Sequence, residues 1–332
     1  MKRSFIAICA LLSAALAFGA PAEEIIGKFQ TVQGSVSLET PDGKSKVAGK
    51  VGENIAVGRV VVTAANALAE LMLADGSLIT VNANSKIALN KNLISPKNRK
   101  NVSFGVIMGG MKAKVNKLSG SDEFKVQTPT SVAAVRGTEF EVALGSDGST
   151  MVAVNKGKVN VGTDGGAADV NANESSSVLL GEEKSGVKKQ EYRKDSVDAF
   201  VKEREQATKS DPVGTLQKME AKASSVGDKS GSLLNKANDK DSSPESLNDE
   251  FQQLSTANKG VKALADSIQA ENKGNRNVER VYNTLRRIAE ANDRLEARIA
   301  AALAKINERY AKVEAEINTR SKQLDDIKIL DK

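Results

Sequence analysis

Residues 124–161 read FKVQTPTSVAAVRGTEFEVALGSDGSTMVAVNKGKVNV, and this stretch narrows the possible folds most sharply. Apolar and polar residues alternate over 124–128, 138–142 and 151–161. In an extended chain, successive side chains point to opposite faces, so strict alternation puts one face in a core and the other in water. A helical pattern would repeat every third or fourth residue instead, and none does here. Turn-forming pieces separate the runs: Thr128-Pro129-Thr130, Val135-Arg136-Gly137-Thr138, Asp147-Gly148 and Lys156-Gly157-Lys158. Short strands punctuated this closely imply neighbouring antiparallel pairs.

The same grammar extends over residues 23–190, which are rich in Val, Gly and Thr. Asp-Gly pairs stand at Asp42-Gly43, Asp75-Gly76, Asp147-Gly148 and Asp164-Gly165. Asp-Gly between alternating runs signals a hairpin, here expected as a type I′ turn. Val32, Gly34, Val36 and Leu38 share a face before Asp42. Leu71 and Leu73 precede Asp75, and Ile79 and Val81 follow it. Met111, Ala113 and Val115 oppose Lys112 and Lys114. The pattern predicts one all-β domain over 23–190, either a short-stranded sandwich or a β-solenoid-like stack. Alternation alone is compatible with both.

The order V-x-TPT…AAVRGT-x-F-x-V…DG-x-T-x-V-x-V-x-x-G-x-V-x-V over 124–161 resembles the FecR domain family. The segment 75–89, DGSLITVNANSKIAL, is similar to that family's D-G-S…S strand pair. The likeness covers roughly residues 28–182. It implies a bacterial envelope protein and favours the solenoid-like stack. Family members of the iron-uptake type join a cytoplasmic segment controlling a sigma factor, a transmembrane helix and this periplasmic domain. This sequence has a leader where those first two parts stand, which implies an exported FecR-domain protein. Arg136, Gly137 and Thr138 are the most motif-like residues. They read as a structural turn, in which Gly137 permits a close approach and Arg136 pairs with a carboxylate, or as an exposed arginine that docks a partner.

Composition changes near residue 190, where Ala, Glu, Lys, Arg, Asn and Leu take over. Residues 191–242 read as a helix over 192–208, stopped at Asp211-Pro212, followed by a polar linker with a weak helix at 216–226. Residues 243–332 read as a long, coiled-coil-like helical hairpin. Ser243 can cap it and Pro244 suits its first position. Leu247, Leu254, Val261 and Ile268 recur every seven residues, and Lys273–Asn277 is a break of the pattern. In the second helix Leu285, Ile299, Ile306 and Val313 fall at multiples of seven, with Leu295, Leu303, Tyr310, Ile317 and Leu324 on the neighbouring edge. The eight-residue step from Leu295 to Leu303 makes the stripe drift, as in a straight helix. Asn292 falls on this stripe, either setting register or sitting at its edge. The second helix would be roughly 80 Å long and the first roughly 40 Å. The uncovered end would therefore associate with a second copy, the 192–208 helix or a foreign protein.

Residues 1–22 have the form of a cleaved export signal: basic Lys2-Arg3, an apolar core, then Ala20-Pro21-Ala22. Cleavage after Ala22 would yield a periplasmic or secreted chain without Cys9, the sole cysteine, hence without disulfides. Removing two of 48 basic residues leaves 46 against 42 acidic, a net charge of +4. That balance, with no Trp and 3% aromatics, offers nucleic acid neither a strong field nor stacking platforms. The basic run 97–100 reads as a solvated loop.

The chain has no histidine, which excludes Ser-His-Asp and Cys-His catalysis and the common zinc and copper ligand sets. Gly105–Gly110 has P-loop glycine spacing, but Met111 and Lys112 replace the required Lys-Ser/Thr. Asp239, Asp241, Ser243 and Glu250 sit at calcium-loop offsets, yet Pro244 occupies the glycine position. Ser185 and Lys188 match S-x-x-K without its partner motifs. No cofactor is expected. The leading reading is a non-catalytic envelope protein that binds an envelope protein or a cell-wall component through its β domain and oligomerises or docks through its helices. Alternatives are a soluble periplasmic signalling component sensing an outer-membrane transporter, and a polysaccharide-acting hydrolase built on paired carboxylates.

Overall fold

The computed structural model describes residues 24–90, 102–117, 123–238 and 244–330. The expected leader with Cys9, the basic run 97–100, and Asp239, Asp241 and Ser243 lie outside the described residues. So does the side chain of Leu324.

The first part is built of β1 (Ile25–Gln33), β2 (Val36–Glu39), β3 (Lys46–Ala48), β4 (Asn54–Ala56), β5 (Val60–Thr63), β6 (Leu68–Leu73), β7 (Leu78–Val81), β8 (Lys86–Asn90), β9 (Val102–Met108), β10 (Gly110–Lys114), β11 (Phe124–Gln127), β12 (Val132–Val135), β13 (Glu139–Leu144), β14 (Thr150–Lys156), β15 (Lys158–Thr163), β16 (Gly166–Asn171), β17 (Glu174–Val178) and β18 (Lys188–Glu191). They form two sheets of nine strands, ordered β18-β17-β14-β13-β10-β7-β6-β1-β4 and β16-β15-β12-β11-β9-β8-β5-β2-β3. Among the described strands all pairs are antiparallel except β9 with β11. The two expected architectures both contribute. Two sheets face each other across one core, as in a sandwich. Each sheet also advances almost in chain order, as a solenoid does, because the chain adds one or two strands to one sheet and then crosses to the other.

The core follows the alternation. In β13, Phe140 and Val142 are buried while Glu139 and Glu141 are partly exposed between them. Leu71 in β6 and Ile79 in β7 face the same interior, and the two pair directly across the ladder. Phe104 and Phe124 from one sheet lie 5.3 Å apart between ring centres, and Phe124 meets Phe140 of the other sheet edge-on at 6.3 Å. These rings join the sheets at the centre.

All four Asp-Gly pairs sit between hairpin strands, but not as type I′ turns. A type I′ turn needs positive φ at both residues. Gly76 (+82°), Gly148 (+85°) and Gly43 (+69°) have it, and their aspartates do not. Each aspartate instead accepts the backbone N–H two residues on: Asp75 from Ser77 at 2.9 Å, Asp147 from Ser149 at 3.0 Å and Asp42 from Lys44 at 3.1 Å. Gly76 N–H also donates to Leu73 O at 3.0 Å. The turn is therefore a type I turn closed by a left-handed glycine, with the carboxylate completing an Asx turn.

Four helices follow: α1 (Ser196–Ser210), α2 (Pro212–Ala237), α3 (Pro244–Glu271) and α4 (Arg276–Leu330). α1 lies on the outer face of the first sheet, with Val197 and Phe200 on Ala143, Met151 and Ala153. The expected linker over 209–242 is instead occupied by the 26-residue α2. Gly227 and Gly231 cost a helix about 1 kcal/mol each. The periodic face Leu216, Met219, Ala223, Val226, Leu233 and Ala237 is buried and offsets that cost. Asp211 caps the start, accepting Gly214 N–H at 2.8 Å, and Pro212 opens the helix. The hairpin of α3 and α4 thus becomes a three-helix bundle with α2. No helix among the described residues is long and apolar enough to cross a membrane.

Candidate interaction surfaces

The 136–138 turn is mainly structural in its geometry. Gly137 has φ +83°, and a Cβ there would lie 2.9 Å from the Lys117 Cα. Thr138 is buried; its hydroxyl donates to Lys158 O at 3.1 Å and its carbonyl accepts Val115 N–H at 2.9 Å. Arg136 is exposed, with its guanidinium 3.8 Å from Glu123. Gly137 thus sits where a Cβ would crowd the backbone, and Arg136 stands beside a carboxylate.

Glu123 also holds Lys125 at 2.7 Å, and Lys125 bonds Asp249 of α3 at 2.6 Å. Burial pushes the Lys125 pKa down, but hydrogen bonds to Asp249 and Glu123 outweigh it and the net shift is upward. Lys125 is therefore part of the contact between the sheet and the bundle, which alternation alone could not show. Small residues let α3 come close to that sheet. A Cβ on Gly105 would lie 2.5 Å from the Thr256 hydroxyl, and one on Gly260 would lie 2.6 Å from the Pro129 ring. Next to them the buried hydroxyls of Thr128, Thr130 and Thr150 bond one another at 2.6–2.8 Å, so the Thr-Pro-Thr turn is internally satisfied beneath the helix.

Inside the bundle Asn292 is buried and donates to Ala223 O of α2 at 2.8 Å and to Asn258 Oδ1 of α3 at 3.3 Å. It packs where Gly227 leaves room, since a Cβ at 227 would stand 2.7 Å from its Oδ1. Asn258 donates to Asp293 at 2.9 Å and Glu296 at 3.0 Å. Asn292 thus links all three helices at one level, the geometry of a register-setting residue. Asn258, its partner, carried no signal in the sequence because it is one polar residue on a mixed helix.

The expected association stripe splits in two. Leu285 and Ile299 are fully buried under α2 and α3, and Ile306 is partly buried with them. They belong to the bundle's own core, because α2 supplies the cover that a linker could not. Beyond the bundle Tyr310, Val313 and Ile317 are 51%, 53% and 61% exposed. The remaining large exposed apolar side chains among the described residues are Val201 and a trio, Ile25, Val47 and Val51. The trio belongs to one end of the β domain, where β4 and β3 are the last strands of the two sheets.

A cleft of about 460 Å³ runs between α2, α3 and the β15–β16 turn, lined by Lys222, Lys229, Lys236, Asp164 and Glu250. Four of its charges pair, Lys229 with Asp164 at 2.7 Å and Lys236 with Glu250 at 2.9 Å. Burial pushes the Asp164 pKa up, but the bond to Lys229 and the nearby lysines hold it below the ordinary value. A general acid needs the opposite shift. Among the described residues no group of three His, Cys, Asp or Glu side chains could hold a metal ion.

Residues 59–160 match the family model described as FecR protein. Two crystal structures described as a candidate anti-sigma factor from Parabacteroides distasonis are similar over 43% of this chain. Their identities are 21% and 22%, and the TM-score is 0.36 for both. This chain spans about 64% and 63% of those chains. A structure described as a cell surface anchoring domain matches 19% of this chain and 82% of its own, at 24% identity and a TM-score of 0.18. No curated protein matches.

Proposed function

We propose that this chain, which carries a FecR domain over residues 59–160, is a non-catalytic envelope protein that works by binding. The β domain is the module that engages an envelope protein or cell-wall component. The helices carry it and supply a second docking element. Cleavage after Ala22 delivers the chain to the periplasm or beyond.

The observation that carries this reading is where the exposed large apolar side chains lie. One group, Ile25, Val47 and Val51, marks the open end of the sandwich; the other, Tyr310, Val313 and Ile317, marks the helix projecting from the bundle. Tyr310, Val313 and Ile317 recur at three- and four-residue spacing on one helix face, and exposed apolar surface of that kind marks protein contacts. Asp164, paired with Lys229 and held below its ordinary pKa, favours binding over polysaccharide hydrolysis in this cleft. The family match favours a second reading, a soluble signalling component that senses an outer-membrane transporter.

The test is a photo-crosslinking residue placed at Val51 in the full chain within its native envelope, with exposed Lys44 as the control position. Val51 should give a discrete adduct with one protein or with isolated cell wall. A transporter adduct would select the signalling reading. Equal labelling from Val51 and Lys44 would sink the binding role of this end.

A further inference from the structure

We infer that the projecting end of α4 pairs with the same segment of a second copy as an antiparallel two-stranded coiled coil. This rests on the docking role proposed above for the tail and names its partner. α2 ends at Ala237, which lines a cleft of about 390 Å³ with Ile306 and Tyr310 of α4, and α3 begins at Pro244, just before Leu247 of the cluster that Ile306 packs against. α1 is held on the first sheet. From Glu308 to Gln323 every described side chain of α4 is exposed.

The repeat changes character at the same place. The drift between Leu295 and Leu303 ends, and from Ile299 onward the spacing is strictly three and four. Leu303, Tyr310, Ile317 and Leu324 fall at a, and Ile299, Ile306, Val313, Arg320 and Ile327 at d. A sustained seven-residue repeat is made for knobs-into-holes contact with another helix, not for a flat surface. Within the chain the first members of this row, Ile299 and Leu303, already meet helices and are buried.

Arg320 decides the orientation. A parallel, in-register pair would face Arg320 with Arg320 at a d layer, a like-charge contact at the centre of the tail. An antiparallel pair with Tyr310 opposite Ile327 uses the whole tail. It puts positions 313 and 324 in one layer and Arg320 beside Ile317 and Glu316 of the second copy, so the two Arg320 fall in neighbouring layers, each next to a Glu316. That ion pair occurs twice by symmetry. Among the described flanking positions this register brings no like charges together, since Glu316 meets Gln323. The two bundles then sit at opposite ends, separated by roughly 36 Å of paired helix. The assembly presents two FecR domains, which raises avidity for any repeated envelope target.

Sedimentation of the mature chain, residues 23–332, over a range of concentrations tests this. Its mass should rise from the monomer value towards twice it. Ile317→Glu should hold it at monomer with helicity unchanged. Arg320→Glu should weaken association about tenfold or more, and adding Glu316→Arg should restore it, because the swap recreates both cross-pairs. In the mature chain, which lacks Cys9, spin labels on Glu308→Cys should lie more than about 30 Å apart in the dimer. A chain that stays monomeric at high concentration overturns the inference, and so does a label distance below about 20 Å, as in a parallel pair. A monomer that still captures a foreign protein through residues 306–330 overturns it too, while leaving the broader docking role in place.

Discussion

Phe140→Ala tests the link from alternation to core most directly. Phe140 is 1% exposed, on a strand paired on both sides by β10 and β14. Its ring sits edge-on to Phe124, which in turn contacts Phe104. Truncation removes the only described aromatic contact between the sheets at that level. Both flanking ladders stay hydrogen-bonded, so the backbone cannot close the cavity. Buried Phe→Ala changes cost about 3–5 kcal/mol, and loss of the edge-on contact favours the upper half of that range. The neighbouring control is Lys112→Ala on β10, whose side chain is 59% exposed and reaches Glu141 at 3.4 Å. Exposed ion pairs of that kind contribute about 0–1 kcal/mol. The assay is hydrogen exchange of the β13 and β14 amides, which reports opening of the β domain separately from the bundle. A loss near 4 kcal/mol should speed their slowest exchange about a thousandfold; Lys112→Ala should change it by less than about tenfold. Comparable protection in the two variants would refute the assignment of faces.

Two further outcomes follow from single contacts. Gly137→Ala should lower the melting temperature more than Arg136→Ala, because it forces positive φ on a Cβ that also meets the Lys117 backbone at 2.9 Å; a strained position of this kind costs on the order of 1–3 kcal/mol. Asp164 has a folded pKa below its ordinary value, so its ionised form stabilises the fold above that ordinary value, and the contribution fades as pH falls through the folded one. Asp164→Asn should therefore melt lower than wild type at neutral pH, by less than about 1 kcal/mol, and the difference should vanish in strong acid; a gap that persists or widens there would contradict the Lys229–Asp164 contact.

Much of the β domain was legible from period-two alternation. That pattern depends only on neighbours along the chain, and burying one face of a strand demands it. It placed Phe124, Val126, Phe140 and Val142 inside, and the Asp-Gly pairs between the right strands. Turn type was not legible, since Asp-Gly serves both a type I′ turn and an Asx-capped type I turn. The choice between sandwich and solenoid depended on which distant strands pair, and local periodicity carries no record of that. In the helical part the breaks at Asp211-Pro212 and 273–277 were readable as backbone chemistry. α2 was not, because its glycines and serines argue against a helix on propensity alone. Its stability comes from burial against α3 and α4, residues far away in sequence. The same tertiary burial turned Leu285 and Ile299 into intramolecular core, drew Lys125 into the contact with α3, and left Tyr310, Val313 and Ile317 uncovered. The sequence by itself determined which residues need cover and with what spacing. Only the tertiary structure decided which of them the chain covers for itself, because cover is supplied by whichever surfaces folding brings within contact distance.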